Sequence, residues 1–105
     1  MGIFSKLFGG TSVDFSTMVK DGATIVDVRT PAEYKNGHIK GSINIPLQVL
    51  DKNISKLNKN KPVITCCASG MRSGSAKGLL KSKGFDAYNG GSWTSLKQKM
   101  QSVWQ

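Results

Sequence analysis

Short β-branched runs alternate with helix-period segments along this chain, and that alternation limits its fold more than any other feature. Thr24 to Val28 reads as a strand, after which Thr30 and Pro31 supply an N-cap and a first-turn proline for a short helix through Ala32, Glu33, Tyr34 and Lys35. Ser42, Ile43, Asn44 and Ile45 read as a second strand closed by Pro46, and Leu47 to Leu57 carries Leu47, Leu50, Ile54 and Leu57 at helical spacing. Pro62 to Thr65 is a third, buried strand. It leads through Cys66 to Ser73 into a helix over Gly74 to Lys83, with Ala76, Leu79 and Leu80 facing inward and Gly84 ending it. Phe85 to Asn89 is a fourth strand broken by Gly90 and Gly91, and Trp93 to Trp104 sets Trp93, Leu96, Met100 and Val103 on one face of a closing helix. A helix over Asp14 to Lys20, capped by Ser12, precedes them all. Strands alternating with helices over one domain's length predict parallel strands joined by crossovers, hence an α/β three-layer domain with a central, mainly parallel sheet flanked by helices. Ligands of such sheets sit beyond the carboxyl ends of the strands, where Cys67 falls.

The chain of 105 residues is one domain's length. Residues 11–105 form the domain, and residues 1–10, ending in Gly9 and Gly10, read as a short mobile arm. No run approaches the roughly 18 apolar residues of a membrane span, so a soluble protein without stable membrane insertion is expected. Fifteen Lys and Arg against six Asp and Glu leave a net charge of +9. The lysines are scattered and no aromatic-interleaved basic motif appears, which argues against nucleic acid and leaves solubility, with steering of small anions. The two cysteines are adjacent, so they close no structural disulfide, and a reducing, cytoplasmic setting is expected. With one histidine and two adjacent cysteines a metal site is not expected.

Chemistry concentrates in Cys66 to Ser73, a turn between a strand and a helix start. A thiol is a nucleophile only as thiolate, and an ordinary cysteine with pKa about 8.5 is mostly protonated at neutral pH. A loop curling from Cys67 to Arg72 can aim backbone N–H groups into one cradle, the helix N-terminus adds its positive end and Arg72 a full charge. Gly70 suits the tight backbone, and Ser69 and Ser73 offer hydroxyls. Counting from Cys66 encloses five residues before Arg72, the spacing of cysteine phosphatases; counting from Cys67 encloses four. In the longer register Thr65 stands where His is required and Gly70 is one place late, so Cys67 is the nucleophile of choice. Cys66 is then the last strand residue, directed into the core or a neighbouring strand, with resolution of an oxidised Cys67 as the lesser alternative.

The loop Cys67, Ala68, Ser69, Gly70, Met71, Arg72, Ser73 resembles that of single-domain rhodaneses. The resemblance extends through Ile25 to Arg29 with Glu33 and Tyr34, through Gly37 to Pro46, and through Gly84, Phe85, Gly90 and Gly91. It departs at Trp93, which follows Gly91 more closely than the family's usual tryptophan and is not expected to shape the pocket mouth. The resemblance implies a thiosulfate sulfurtransferase without metal or organic cofactor. Cys67 would carry a persulfide, Arg72 would fix the loop or the donor's oxygens, and Ala68, Ser69, Gly70, Met71 and Ser73 would form the substrate-binding loop. The implied partners are thiosulfate or a persulfide as anionic donor, a thiol or cyanide as acceptor, and a thioredoxin-like or sulfur-relay protein. Two rival readings stand beside it: a phosphatase or arsenate-reductase-like enzyme using Cys66, and a relay module with negligible turnover of small donors. His38 reads as a turn residue bonded to backbone rather than a general base. Asp27, Arg29 and Glu33 read as a salt-bridge network at the sheet edge, with substrate contact as the open alternative.

Overall fold

The structure, a computed structural model, describes residues 14–104. The arm over 1–10 and the Ser12 cap lie outside the described residues. Helix α1 (Phe15–Lys20) is capped by Asp14, whose carboxylate accepts the Thr17 N–H at 3.1 Å and the Ser16 and Thr17 hydroxyls at 2.8 and 2.7 Å. Its acceptor lies directly against the first turn, where an N-cap belongs.

Four strands, β1 (Thr24–Asp27), β2 (Ile43–Asn44), β3 (Val63–Cys67) and β4 (Ala87–Ser92), form one all-parallel sheet in the order β2-β1-β3-β4. The chain leaves β1 for β2 on one side and comes back to β3 on the other. The carboxyl ends of β1 and β3 therefore flank a topological switch point, the place where open parallel sheets bind ligands. Side chains alternate across the sheet. Val26, Val28, Val63, Cys67 and Ala87 pack with Leu50, Leu57, Ala76 and Leu80, while Ile25, Ile64 and Cys66 pack with Ile39, Leu96 and Met100. These are the two interfaces of a three-layer α/β domain.

Helix α2 (Pro31–Lys35) starts on a complete capping box, in which Thr30 accepts the Glu33 N–H at 3.2 Å and Glu33 accepts the Thr30 N–H at 3.0 Å. The helix predicted over Leu47 to Leu57 is instead a short α3 (Leu47–Leu50) that tightens into a 3₁₀ segment, Asp51–Lys56. Asn53 donates its side-chain amide to the Val49 carbonyl at 2.8 Å, competing with the backbone for the acceptor four residues back.

Three boundaries around the loop also differ from expectation. Strand β3 runs on through Cys67, and helix α4 (Met71–Ser82) begins at Met71 rather than Gly74. The cause is Gly70, an N-cap at φ +105°, whose carbonyl accepts the Gly74 N–H at 3.0 Å and starts the helix early. Gly90 and Gly91 lie inside β4 instead of breaking it. Thr65 pairs with Asn89 and Cys67 with Ser92, so β4 carries one extra residue there, a bulge. A Cβ on Gly90 would stand 2.9 Å from Ile64, Leu96 and the Thr65 carbonyl, so only glycine lets the strands close. Gly84, at φ +91°, ends α4 as predicted. Helix α5 (Trp93–Trp104) closes the chain, burying Leu96 and Met100. No helix among the described residues is long and apolar enough to cross a membrane.

Asp27 and Arg29 form a buried ion pair at 2.7 Å at the carboxyl end of β1, an inner strand rather than the sheet edge. Arg29 also donates to the Gly37 carbonyl at 2.8 Å and lies 4.7 Å from the centroid of the Trp93 ring, so its donors are used in fixing the turn that follows α2.

Candidate active site

Strand periodicity sends the two thiols to opposite layers. Cys67 faces the α4 side and Cys66 the α1 and α5 side, and both expose 0% of their surface. Thr65, on the Cys67 face, donates its hydroxyl to the Ser73 carbonyl at 2.8 Å and so ties the strand to the first turn of α4.

Between them the chain turns over the Cys67 sulfur. The Gly70 N–H donates to Sγ at 3.0 Å, the Ser73 N–H at 3.4 Å, and the Ser73 hydroxyl oxygen stands 3.4 Å away. Burial pushes the Cys67 thiol up, but the Ser73 hydroxyl and the Ser73, Gly70 and Ser69 N–H groups outweigh it, and the net displacement is downward. Among the described residues Cys66 has no such donors. Burial, reinforced by the charge of Asp27, pushes its thiol up to about 12.

Arg72 is paired with a residue outside the loop. Its guanidinium makes a two-pronged pair with Glu33, at 2.8 and 3.0 Å, that links α4 to α2 across the switch point. Glu33 is thus both the capping-box acid and the partner of Arg72, and chiefly the Arg72 hydrogen bonds, then the Thr30 N–H, hold its carboxyl at about 2. The same pairing holds the Arg72 guanidinium above its ordinary range. Of the remaining predicted loop residues, Ala68 and Ser69 are exposed and Met71 leaves 81% of its surface in solvent. His38 donates from Nδ1 to the Tyr34 carbonyl at 2.7 Å and stacks on the Tyr34 ring, a turn residue held to backbone. Trp93 covers Arg29.

Asn89, on β4, was not a predicted site residue. Its Oδ1 accepts the Ser73 hydroxyl at 2.6 Å and the Gly91 N–H at 2.9 Å, and its Nδ2 donates to the Gly70 carbonyl at 3.1 Å. The sole sequence signal for it is an amide directly before two glycines at a strand's end.

The fold that carries this thiol is shared with known proteins. A family model for the Rhodanese-like domain matches residues 11–99. The chain belongs to that family. This rhodanese-like domain is 34% identical over 85 residues to thiosulfate sulfurtransferase PspE of Escherichia coli K12, covering 79% of this chain and 82% of that one. It is 41% identical over 61 residues to the putative sulfur carrier protein YrkF of Bacillus subtilis, covering 58% of this chain and 33% of the relative. The domain spans less than half the length of the Bacillus subtilis relatives it matches. A solved structure described as rhodanese with anions from E. coli superposes with a TM-score of 0.67 at 34% identity, covering 70% of this chain and 91% of the other.

Proposed function

We propose that the domain is a sulfurtransferase in which Cys67 carries the sulfur. The observation that carries the reading is the convergence of the Gly70 and Ser73 N–H groups on the Cys67 sulfur, while the adjacent thiol lies in apolar surroundings. The Cys67 thiolate attacks the outer sulfur of thiosulfate. The sulfur–sulfur bond of the donor breaks and sulfite leaves with its electron pair. Cys67 is left as a persulfide whose anionic terminal sulfur sits under the loop N–H groups. A thiolate or cyanide then attacks that terminal sulfur, forming a new persulfide or thiocyanate and releasing the Cys67 thiolate. Glu33 engages Arg72, which supports a role for Arg72 in fixing the loop more than in holding the donor. The Cys66 register of a phosphatase gains no support, since that thiol lies in the opposite layer. A thiolate carrier of this kind suits a reducing, cytoplasmic setting.

A second reading, a sulfur relay fed by a protein persulfide, is favoured by one feature. The loop offers exposed Met71 to an arriving donor, and its one arginine is engaged by Glu33. A persulfide on an acidic, thioredoxin-like partner would meet the basic chain in a salt-sensitive way.

The test is thiosulfate:cyanide transfer by the unmodified chain and by Cys67→Ser, with intact mass after thiosulfate. Gain of one sulfur atom on the unmodified chain and none on the variant is expected. Full activity in Cys67→Ser would sink the reading. Transfer only from a partner's persulfide would select the relay, and phosphate-ester hydrolysis that needs Cys66 but not Cys67 would select the phosphatase.

A further inference from the structure

We propose that Asn89 is a positioning residue that competes with the Cys67 sulfur for the single hydroxyl proton of Ser73, and thereby sets how readily Cys67 becomes thiolate. The inference rests on Cys67 being the nucleophile.

The orientation of the Asn89 amide is fixed by its neighbours. Nδ2 meets a carbonyl, that of Gly70 at 3.1 Å, and Oδ1 meets an N–H, that of Gly91 at 2.9 Å; turning the amide over would oppose like groups at both contacts. Oδ1 therefore faces Ser73 Oγ at 2.6 Å, and the hydroxyl donates to it. With its proton so used, Ser73 Oγ presents a lone pair to the Cys67 sulfur 3.4 Å away and accepts the S–H of the thiol.

Loss of the thiol proton reverses that contact. A lone pair facing a thiolate is repulsive, so the hydroxyl must swing its proton from Asn89 to the sulfur. Asn89 tolerates the change because Oδ1 keeps the Gly91 N–H, and no buried oxygen is left unpaired. A neutral amide is a modest competitor, whereas a carboxylate in its place would hold the hydroxyl about twice as strongly. The bulge at Gly90 and Gly91 brings the Gly91 N–H back onto the Asn89 side chain and so makes the arrangement possible.

The variants leave the other ionisable groups around Cys67 unaltered. These groups are Arg72 on α4 with its partner Glu33 on α2, Cys66 on the opposite face of β3, Asp27 at the end of β1, and Tyr88 beside Asn89 on β4.

The experiment follows the rate of iodoacetamide alkylation of Cys67 against pH, located by peptide mass, in the full chain. Asn89→Asp and Asn89→Ala are compared with and without Ser73→Ala, and melting curves identify which variants are folded. Asn89→Asp is expected to raise the midpoint by about one unit, roughly tenfold less thiolate at neutral pH. Asn89→Ala, which removes the competitor, is expected to lower it. Both shifts should shrink once the Ser73 hydroxyl is gone. A midpoint unmoved in both variants, or shifts equally large in the Ser73→Ala background, would overturn the proposal. Alkylation reads the thiolate directly, so the outcome is independent of whether the domain transfers sulfur.

Discussion

Cys66 and Cys67 follow one another on β3 and neither exposes surface, yet their surroundings share almost nothing. Cys66 is packed among Ile25, Ile39, Ile64, Leu96 and Met100, and burial, with the charge of Asp27, outweighs the opposing charge of Arg29 and pushes its thiol up to about 12. Cys67 lies under a helix start, where N–H groups with no partner inside the helix point at its sulfur and the thiol is pushed down. Neither thiol reaches the surface, but Cys66 is the more deeply desolvated, and Cys67 alone has hydrogen-bond donors that outweigh the cost of burial. What matters is which face of the strand a thiol takes, and whether that face meets unsatisfied donors or methyl groups.

The strongest way to break the comparison is to remove each thiol in turn. Cys67→Ser should abolish sulfur transfer, while Cys66→Ala should retain most of it and cost about 1 kcal/mol for the small cavity, measured by cyanide assay and denaturant unfolding. Transfer lost equally in both variants would erase the distinction.

Alkaline pH separates the thiols next. Cys67 should alkylate with a midpoint below the ordinary thiol pKa of about 8.5. Cys66 should stay unmodified in the folded chain until pH nears 12. Because the folded state holds the Cys66 proton more tightly than the unfolded chain, its contribution to stability is complete below about 9.0 and fades as pH rises toward about 12. Cys66→Ala should flatten that alkaline limb of a stability-against-pH curve.

Gly70→Ala tests the cradle with both thiols intact. At φ +105° a side chain costs about 1–2 kcal/mol, and a displaced N–H should slow transfer roughly ten- to hundredfold while leaving Cys66 as inert as before. Unchanged kinetics would show that the Gly70 donor is dispensable.

The smallest effect should come from Glu33→Gln. The pair it breaks is solvent-screened and adds little to stability, but Arg72 loses its anchor and transfer should fall a few-fold. Since Glu33 titrates at about 2 in the folded chain against an ordinary 4.5, the pair's contribution is present above about 4.5 and vanishes as pH falls toward 2. Stability of Glu33→Gln should be correspondingly less sensitive to acid.

The amino-acid order by itself determined the parts that depend on neighbours a few residues apart. The capping box at Thr30 and Glu33, the glycine stop after α4, the alternation of strands with helices and the four-residue spacing from Cys67 to Arg72 all belong here. Caps, turns and periodicity are short-range physics, and they are written where they act. The period of two along β3 also required that Cys66 and Cys67 face opposite ways. Only the tertiary structure decided which of the two faces α4, that Arg72 would be held by Glu33 on another helix, and that Asn89 on β4 would share its oxygen between Ser73 and Gly91. These contacts join residues from separate strands and helices. They exist because the sheet order places β4 beside β3 and because a bulge at two glycines lets the strands close, and neither follows from local propensity. The early start of α4 combines both kinds of cause, since Gly70 permits the turn and the Asn89 amide on its carbonyl holds it there.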